Sequence, residues 1–283
     1  MKKALWSVAL VLALAVSAFA TTTIRFVDVP SGDQTADTIA FQPIIDFVED
    51  YVNEKGFDVK IEPLVVLDYS SAIQAMIHGH AEMSRFGPNQ YLLLQRESGN
   101  AFTPLARDIK GNTGLPFYNT YFIARADSEI PGLCSCLVSD YDIAFVDETS
   151  TSGYLVPLVE LAKLGLSPDD FDNVYFAGSH AASIQAVWDG HVDIAVTNEY
   201  RYGMAIDEGV IVESEMDVLL ISAPIPTNPI VAANSLGEDL INILREAWLA
   251  VPAEIASGFS LAGFAPATDA DYDPVRDLEA ISE

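Results

Sequence analysis

Apolar runs rich in β-branched residues alternate with segments of helical periodicity along this chain of 283 residues. Residues 38–55 predict an amphipathic helix, because its apolar side chains recur on one face: Phe41, Ile44, Ile45, Val48 and Val52. Pro43 suits the first turn of this helix and Gly56 suits its end. The other predicted elements are a helix at 235–251 and strands at 23–29, 58–66, 141–146, 174–177, 192–197 and 218–222. Such alternation is typical of an α/β fold.

An internal repeat organises this pattern. Residues 73–83 and 184–194, which lie 111 positions apart, share Ile, Gln, Ala, Gly and His at matching positions. Each copy predicts a helix, a glycine cap, a turn and a strand, so the chain should form two similar lobes. The repeat makes Tyr69 and His180 equivalent residues at two helix N-termini.

The loops beside these repeats are the expected binding region. In open α/β sheets, ligands lie at the carboxyl ends of the strands, where the next helices begin. The strands of the two copies end at 85–88 and 196–199, and the second region contains Asn198 and Glu199. Ser179 directly precedes His180. We therefore expect these loops to meet at one cleft.

A run of hydroxyl residues follows the strand predicted at 141–146. Ser150, Thr151 and Ser152 should occupy the first turn of a helix that continues over 154–164. Helix N-termini carry unpaired N–H groups and a partial positive charge, so this turn predicts an anion site without any lysine or arginine. Gly153 would let the anion approach the backbone. The simpler alternative is a helix cap, for which a single hydroxyl is sufficient.

The N-terminus predicts export. Lys2 and Lys3 precede an apolar run at 5–16, and residues 18–20 read Ala-Phe-Ala, so we expect a signal peptide cleaved after Ala20 and a periplasmic protein. The net charge of −27 disfavours nucleic acid and anionic membranes as partners and suits a soluble monomer. Export also permits disulfides. Cys134 and Cys136 are either two thiols or an unusual local bridge.

Catalytic and metal-binding patterns are weak in this sequence. His78 and His80 resemble a metal pair, but the second recurs as His191 in the same turn of the other repeat, which favours a turn residue. We predict no metal, no cofactor and no enzyme activity. An exported phosphoryl hydrolase, the enzyme alternative, would need a nucleophile with a base or clustered metal ligands.

Several segments resemble the periplasmic substrate-binding proteins of phosphonate, phosphite and phosphate ABC transporters. The hydroxyl run of Ser150, Thr151 and Ser152, followed downstream by Gly178-Ser179-His180, is the most specific part of the resemblance. The matching segments cover most of the chain after residue 20: 68–73, 85–88 with Tyr91, 150–154 with Pro157, 176–180 continuing to 190–193, and 222–226. Residues 132–140 depart from the family pattern, which usually has a D-L-K-G-K-like run there.

This resemblance implies a type II periplasmic binding protein fold, in which two α/β lobes are joined by two crossing strands. The crossings would lie near 118–127 and 222–234. Lobe one would contain residues 21–122 and 227–283, and lobe two residues 123–226. By position, Ser150, Thr151, Ser152 and His180 become contacts of a phosphorus oxyanion, and Tyr69 and Tyr91 become contacts from lobe one.

The function implied is capture of a small phosphorus oxyanion, such as a phosphonate, phosphite or phosphate, and its delivery to an ABC transporter permease. An oxyanion sensor that docks to a membrane kinase would share every one of these features. The sequence leaves both the choice of oxyanion and the choice between transport and sensing open.

Overall fold

The computed structural model describes residues 21–29, 32, 34–134 and 138–282. The expected signal peptide, residues 1–20, and Cys136 lie outside these ranges. Cys134 is in a disulfide bond, which excludes the free-thiol alternative at that position. Within the described ranges, none of the helices has the length and apolar composition that a membrane crossing demands.

Strands and helices alternate through most of the described chain, which confirms the predicted α/β class. The strands are β1 (Thr22–Asp28), β2 (Val59–Leu64), β3 (Met83–Arg85), β4 (Phe102–Lys110), β5 (Phe117–Tyr118), β6 (Thr120–Arg125), β7 (Ile143–Phe145), β8 (Val174–Phe176), β9 (Ile194–Asn198), β10 (Met216–Ile221), β11 (Ile225–Pro226), β12 (Pro229–Ala233) and β13 (Leu261–Pro266). The α-helices are α1 (Gln34–Glu54), α2 (Tyr69–Ile77), α3 (Pro88–Ser98), α4 (Val156–Lys163), α5 (His180–Trp188), α6 (Glu199–Asp207), α7 (Glu238–Leu249), α8 (Ala253–Ala256) and α9 (Asp273–Ser282).

Two sheets of similar design form the framework. The first has six strands in the order β13-β4-β12-β3-β1-β2, and the second has five in the order β10-β6-β9-β7-β8. In the first sheet β1 runs parallel to β2 and β3, while β12 pairs antiparallel with β3 and β4. In the second, β7 runs parallel to β8 and β9, and β6 pairs antiparallel with β9 and β10.

Apolar side chains cover both faces of each sheet. Along β1, Ile24 and Val27 are fully buried but belong to different clusters, because strand side chains alternate between faces. Phe122 and Ile123 of β6 divide in the same way in the second sheet. Trp248 of α7 is fully buried against the first sheet.

A short ribbon joins the two sheets. β5 and β11 pair antiparallel, with Ile225 opposite Tyr118 and Pro226 opposite Phe117. The chain leaves the first sheet after β4 and returns to it at β12, passing through this ribbon each way. The ribbon is shorter than the expected crossings, because β6 already belongs to the second sheet from Thr120 onward and β12 to the first from Pro229.

Helix α1 has the predicted buried face but a different start. Its five predicted apolar side chains are all at most 3% exposed. The helix begins at Gln34, so Pro43 lies in its interior instead of its first turn, which corrects the sequence prediction. A proline there removes one backbone hydrogen bond to the carbonyl of Ile39. The side chain of Ile39 is 68% exposed, so this turn lies where water can replace the lost bond.

The internal repeat is confirmed as a structural unit. Helices α2 and α5 have the same length, and Tyr69 and His180 are their first residues. The residues before them cap the helices in the same way: Asp68 accepts from the N–H of Ser71, and Ser179 accepts from the N–H of Ala182. The two helices therefore present equivalent N-termini from the two sheets.

Candidate functional site

The hydroxyl run forms a buried turn at the end of β7. Ser150 is the cap residue, and its Oγ accepts a hydrogen bond from the N–H of Gly153 at 3.1 Å. Residues 151–155 form a wide helical turn before α4 begins at Val156, whereas the sequence predicted residues 150–152 as the first turn of a regular helix that continues over 154–164. Ser150, Thr151 and Ser152 are each at most 3% exposed. Three hydroxyls are thus buried together where one would satisfy the cap.

Gly153 packs closely against its own turn. A Cβ at this position would lie 2.4 Å from the Cβ of Val146 and 2.8 Å from the Oγ of Ser150. The packing of the turn against the end of β7 therefore requires glycine, and the approach of an anion to the backbone at this position stays a prediction.

His180 lies beside the hydroxyl run. Its Nε2 is 3.5 Å from the Oγ of Ser152, and its Nδ1 is 3.3 Å from the Oγ1 of Thr197. Burial lowers the pKa of His180 to about 3, and the positive charges of Arg201 and Lys110 act in the same direction. The imidazole is therefore neutral near pH 7 and can donate through one ring nitrogen.

A cavity of about 40 Å³ lies between elements of the two sheets. It brings together six of the residues that the sequence singled out: Tyr69, Ser150, Thr151, Ser152, His180 and Asn198. Tyr69 is 2% exposed, and burial raises the pKa of its hydroxyl, which stays protonated and can act as a donor.

The structure places three other candidates outside the cavity lining. The hydroxyl of Tyr91 bonds to the carboxylate of Asp269 at 2.6 Å, within the packing of the first sheet. Ser179 caps α5. Glu199 is the first residue of α6, and burial raises the pKa of its carboxyl group.

Three cations line the cavity, although the sequence indicated an anion site without lysine or arginine. These are Arg85 at the end of β3, Lys110 at the end of β4 and Arg201 in α6. The prediction was wrong because β4 was not recognised as a strand, and because Arg85 was noted only as part of a strand end. Asn198 caps α6 by accepting from the N–H of Arg201, which turns that helix and its arginine toward the cavity.

Carboxylates outside the cavity lining form ion pairs with these cations. Nη2 of Arg85 lies 2.6 Å from Oδ2 of Asp108, and its Nη1 lies 3.1 Å from Asp28. Arg201 pairs with Asp37 of α1. Asp28, Asp37 and Asp108 do not belong to the cavity lining. The cations are therefore fixed in position while their side chains border the cavity.

Sequence reasoning also missed several neutral polar residues of the lining: Gln90, Tyr118, Tyr200 and Asn228. Gln90 is 1% exposed, and neither its Nε2 nor its Oε1 has a hydrogen-bond partner. Buried amides are normally paired, so Gln90 points to a partner that binds in the cavity. Burial raises the pKa of Tyr118 to about 12, against the opposing effect of hydrogen bonding to Ser152 and Thr151.

Contacts also cross the cavity between elements of the two sheets. The backbone N–H of Asn89 donates to Oγ1 of Thr151 at 2.8 Å, and its side-chain Nδ2 donates to the carbonyl of Thr149 at 3.0 Å. The ion pair between Asp37 and Arg201 also joins α1 to α6. The structure is thus a closed arrangement, in which the N-terminus of α3 touches the hydroxyl run.

Comparison with known families agrees with the resemblance seen in the sequence. The family model described as the ABC transporter, phosphonate, periplasmic substrate-binding protein matches residues 28–272. The chain is 29% identical over 278 residues to the phosphate-import protein PhnD of Mycolicibacterium smegmatis, covering 90% of this chain and 84% of that protein. It is 28% identical to the phosphonates-binding periplasmic protein of Escherichia coli, covering 81% of this chain and 69% of that protein.

Solved structures share the fold. A binding protein component of an ABC phosphonate transporter from Pseudomonas aeruginosa has a TM-score of 0.82 at 22% identity, over 93% of this chain and 87% of that one. PhnD1 from Prochlorococcus marinus, in complex with methylphosphonate, has a TM-score of 0.79 at 18% identity, over 92% of this chain and 98% of that one. The expected two-lobed type II periplasmic binding protein fold is therefore confirmed.

Proposed function

The chain belongs to the family of periplasmic substrate-binding proteins of phosphonate ABC transporters, and we propose from this premise that it captures a small phosphorus oxyanion in the cavity and delivers it to an ABC transporter. The observation that carries this proposal is the buried lining, in which hydroxyls, a neutral histidine and fixed cations converge with the unpartnered amide of Gln90. Such a lining offers donors to an anion that has lost its water.

The hydroxyl run and His180 are proposed to hold the tetrahedral group. The Oγ of Ser152 and the Nε2 of His180 lie 3.5 Å apart, so one ligand oxygen beside them can accept from both. The helical turn adds backbone N–H groups and the positive end of a helix dipole. Tyr69 completes the lining from the first sheet, and the contact of Asn89 with Thr151 supports closure around the ligand.

Two features support capture over catalysis. Ser152 and His180 resemble a nucleophile with its base, but a pKa of about 3 makes this histidine a very weak base at neutral pH. The relatives in the same family are named as import or binding proteins. Binding, closure and release to a permease require donors and a hinge, and no bond in the ligand has to break.

The ribbon of β5 and β11 is the proposed hinge. Residues 21–122 and 227–283 would form one lobe and residues 123–226 the other. The start of β6 at Thr120 and the start of β12 at Pro229 support boundaries near these positions. The protein is proposed to be a periplasmic monomer after cleavage following Ala20. Intact-mass measurement of the exported protein would identify the cleavage point.

Calorimetry with phosphate, phosphite, methylphosphonate, 2-aminoethylphosphonate and sulfate tests the ligand class. We expect at least one phosphorus oxyanion to bind at micromolar concentrations or below. Ser150→Ala and His180→Ala should each weaken that binding by about 1–3 kcal/mol, because each removes a donor to a charged group. If none of the phosphorus compounds binds, the proposed function is wrong.

Ser167→Ala is the matched control for Ser150→Ala. Ser167 also begins a short helical turn, but its hydroxyl bonds to Asp170 at 2.9 Å in an exposed position away from the cavity. Both variants should unfold at slightly lower urea concentration, and only Ser150→Ala should lose affinity. An equal loss of affinity in both variants would show that the hydroxyl of Ser150 stabilises the fold and does not contact the ligand.

Transport is tested by uptake. Cells that carry this protein together with the permease of a phosphonate ABC transporter should accumulate a radiolabelled ligand identified by calorimetry. At ligand concentrations near the wild-type Kd, uptake should fall when His180→Ala replaces the wild type. Tight binding without uptake, together with a kinase-dependent response, would favour the sensing alternative.

A further inference from the structure

Lys110 is a buried cation whose charge is only partly compensated. Its side chain is 4% exposed, and its Nζ lies 3.6 Å from Oδ2 of Asp108, the same oxygen that Nη2 of Arg85 contacts at 2.6 Å. The ammonium group also faces the rings of Tyr118 at 5.4 Å and Tyr200 at 4.8 Å. Because Arg85 is closer, it interacts more strongly with the carboxylate of Asp108 than Lys110 does. Lys110 therefore keeps N–H donors that can turn toward the cavity.

The charged groups around Lys110 leave the cavity side positive. Arg85 and Arg201 border the same space, and Asp108 lies behind it. Glu199 is close enough for the charge of Lys110 to oppose the rise in its pKa, but it lies outside the lining. Among the described residues that line the cavity, none is an aspartate or glutamate.

Two residues of the lining, near the ends of β9 and β11, are amides: Asn198 and Asn228. Among the described residues of the lining, an ammonium group would therefore meet cations, hydroxyls and amides but no carboxylate. A buried cation without a counter-charge is strongly disfavoured.

We propose that the natural ligand is a phosphonate whose substituent carries a second negative charge of the carboxylate class, and that Lys110 binds this charge. This inference rests on the proposed function and deepens it. The hydroxyl run and His180 hold the phosphonate group, and the substituent extends toward the end of β4.

Three phosphonates of similar length separate the charge of the substituent from its size. Phosphonoacetate carries a carboxylate, propylphosphonate a methyl group, and 2-aminoethylphosphonate an ammonium group. By calorimetry at pH 7, we expect phosphonoacetate to bind at least tenfold more tightly than propylphosphonate, and 2-aminoethylphosphonate to bind most weakly.

Lys110→Met supplies the second arm, since methionine keeps the length and apolar stem of lysine without its charge. In this variant the preference for phosphonoacetate over propylphosphonate should shrink at least tenfold, while propylphosphonate affinity changes less than threefold. Retained binding of propylphosphonate shows that the variant has folded. If it does not fold, the order of the three ligands in the wild type is the deciding result.

The outcomes separate this inference from the proposed function. If 2-aminoethylphosphonate binds best, or if Lys110→Met keeps the full preference for phosphonoacetate, the inference is wrong although the protein still binds phosphonates. If none of the three phosphonates, nor phosphate or phosphite, binds, the proposed function fails with it.

Discussion

Asp28 and Asp108 both contact the buried guanidinium of Arg85, but replacing each by asparagine should have very different consequences. Asp108 is fully buried and contacts Arg85 through Nε and Nη2. The side chain of Asp28 is 24% exposed and contacts only Nη1, at 3.1 and 3.3 Å. The two variants therefore remove one negative charge from the same cluster at different degrees of burial.

The expected magnitudes follow from burial. Removing one partner of a buried ion pair costs about 3–5 kcal/mol, and Asp108→Asn should lie near the lower limit because Asp28 still faces Arg85. Burial raises the pKa of Asp28 from 3.8 to about 6, which corresponds to about 3 kcal/mol against its ionised form before the discount for exposure. Weakening its two hydrogen bonds with Arg85 costs about 1–3 kcal/mol. Asp28→Asn should therefore change the stability by no more than about 1 kcal/mol.

Urea unfolding at pH 7, followed by tryptophan fluorescence, measures both variants against the wild type. We expect Asp108→Asn to shift the midpoint strongly to lower urea and Asp28→Asn to shift it little. Equal losses, or a larger loss for Asp28→Asn, would refute the ranking by burial.

The raised pKa of Asp28 also predicts a pH dependence of the unfolding free energy. Because the folded-state pKa of Asp28 is raised, its contribution to stability is fully present below about pH 4 and is lost as the pH rises through about 6. The unfolding free energy of the wild type should therefore fall relative to that of Asp28→Asn across this interval. A difference that is constant from pH 4 to pH 7 would contradict the raised pKa.

Two further changes act on the cavity itself. Gly87→Ala should weaken oxyanion binding by about 1–3 kcal/mol, because its Cβ would lie 2.2 Å from Oε1 of Gln90 and 3.0 Å from Oγ1 of Thr151. Gly203→Ala is the control, since a Cβ there would meet nothing within 4 Å. Equal affinities of the two variants by calorimetry would contradict the predicted crowding. Burial lowers the pKa of Lys110 to about 8, so the ratio of wild-type to Lys110→Met affinity for phosphonoacetate should fall as the pH rises above that value, and a ratio constant from pH 6 to pH 10 would exclude a charged Lys110 contact.

Local signals in the sequence were sufficient to predict much of the framework and part of the cavity. The spacing of 111 residues between Tyr69 and His180 reflects two helices with the same caps, and caps are encoded within three or four residues. The hydroxyl run is also local, because Ser150 and Gly153 make the turn between them. Such features depend on neighbouring residues, and one sequence contains them completely.

The cations depend on contacts between distant parts of the chain. β4 contains Asp108 and Lys110, both buried, so its charged side chains hide the apolar pattern that would identify a strand. Their burial becomes favourable only when β3 brings Arg85 beside them, 23 residues earlier than Asp108. A pattern-based reading assigns such residues to the surface, where most charged residues lie.

The arrangement of these charges explains how a strongly acidic protein can offer a site to an anion. At physiological ionic strength, exposed charges are screened beyond about 8 Å, so the net charge of −27 acts weakly inside a closed cavity. Arg85 and Arg201 are held by Asp108 and Asp37, which orient their donors before the ligand arrives. Lys110 shares the carboxylate of Asp108 with Arg85, so its charge is the least compensated of the three. A second negative group of the ligand therefore has a larger effect on Lys110 than on Arg85 or Arg201.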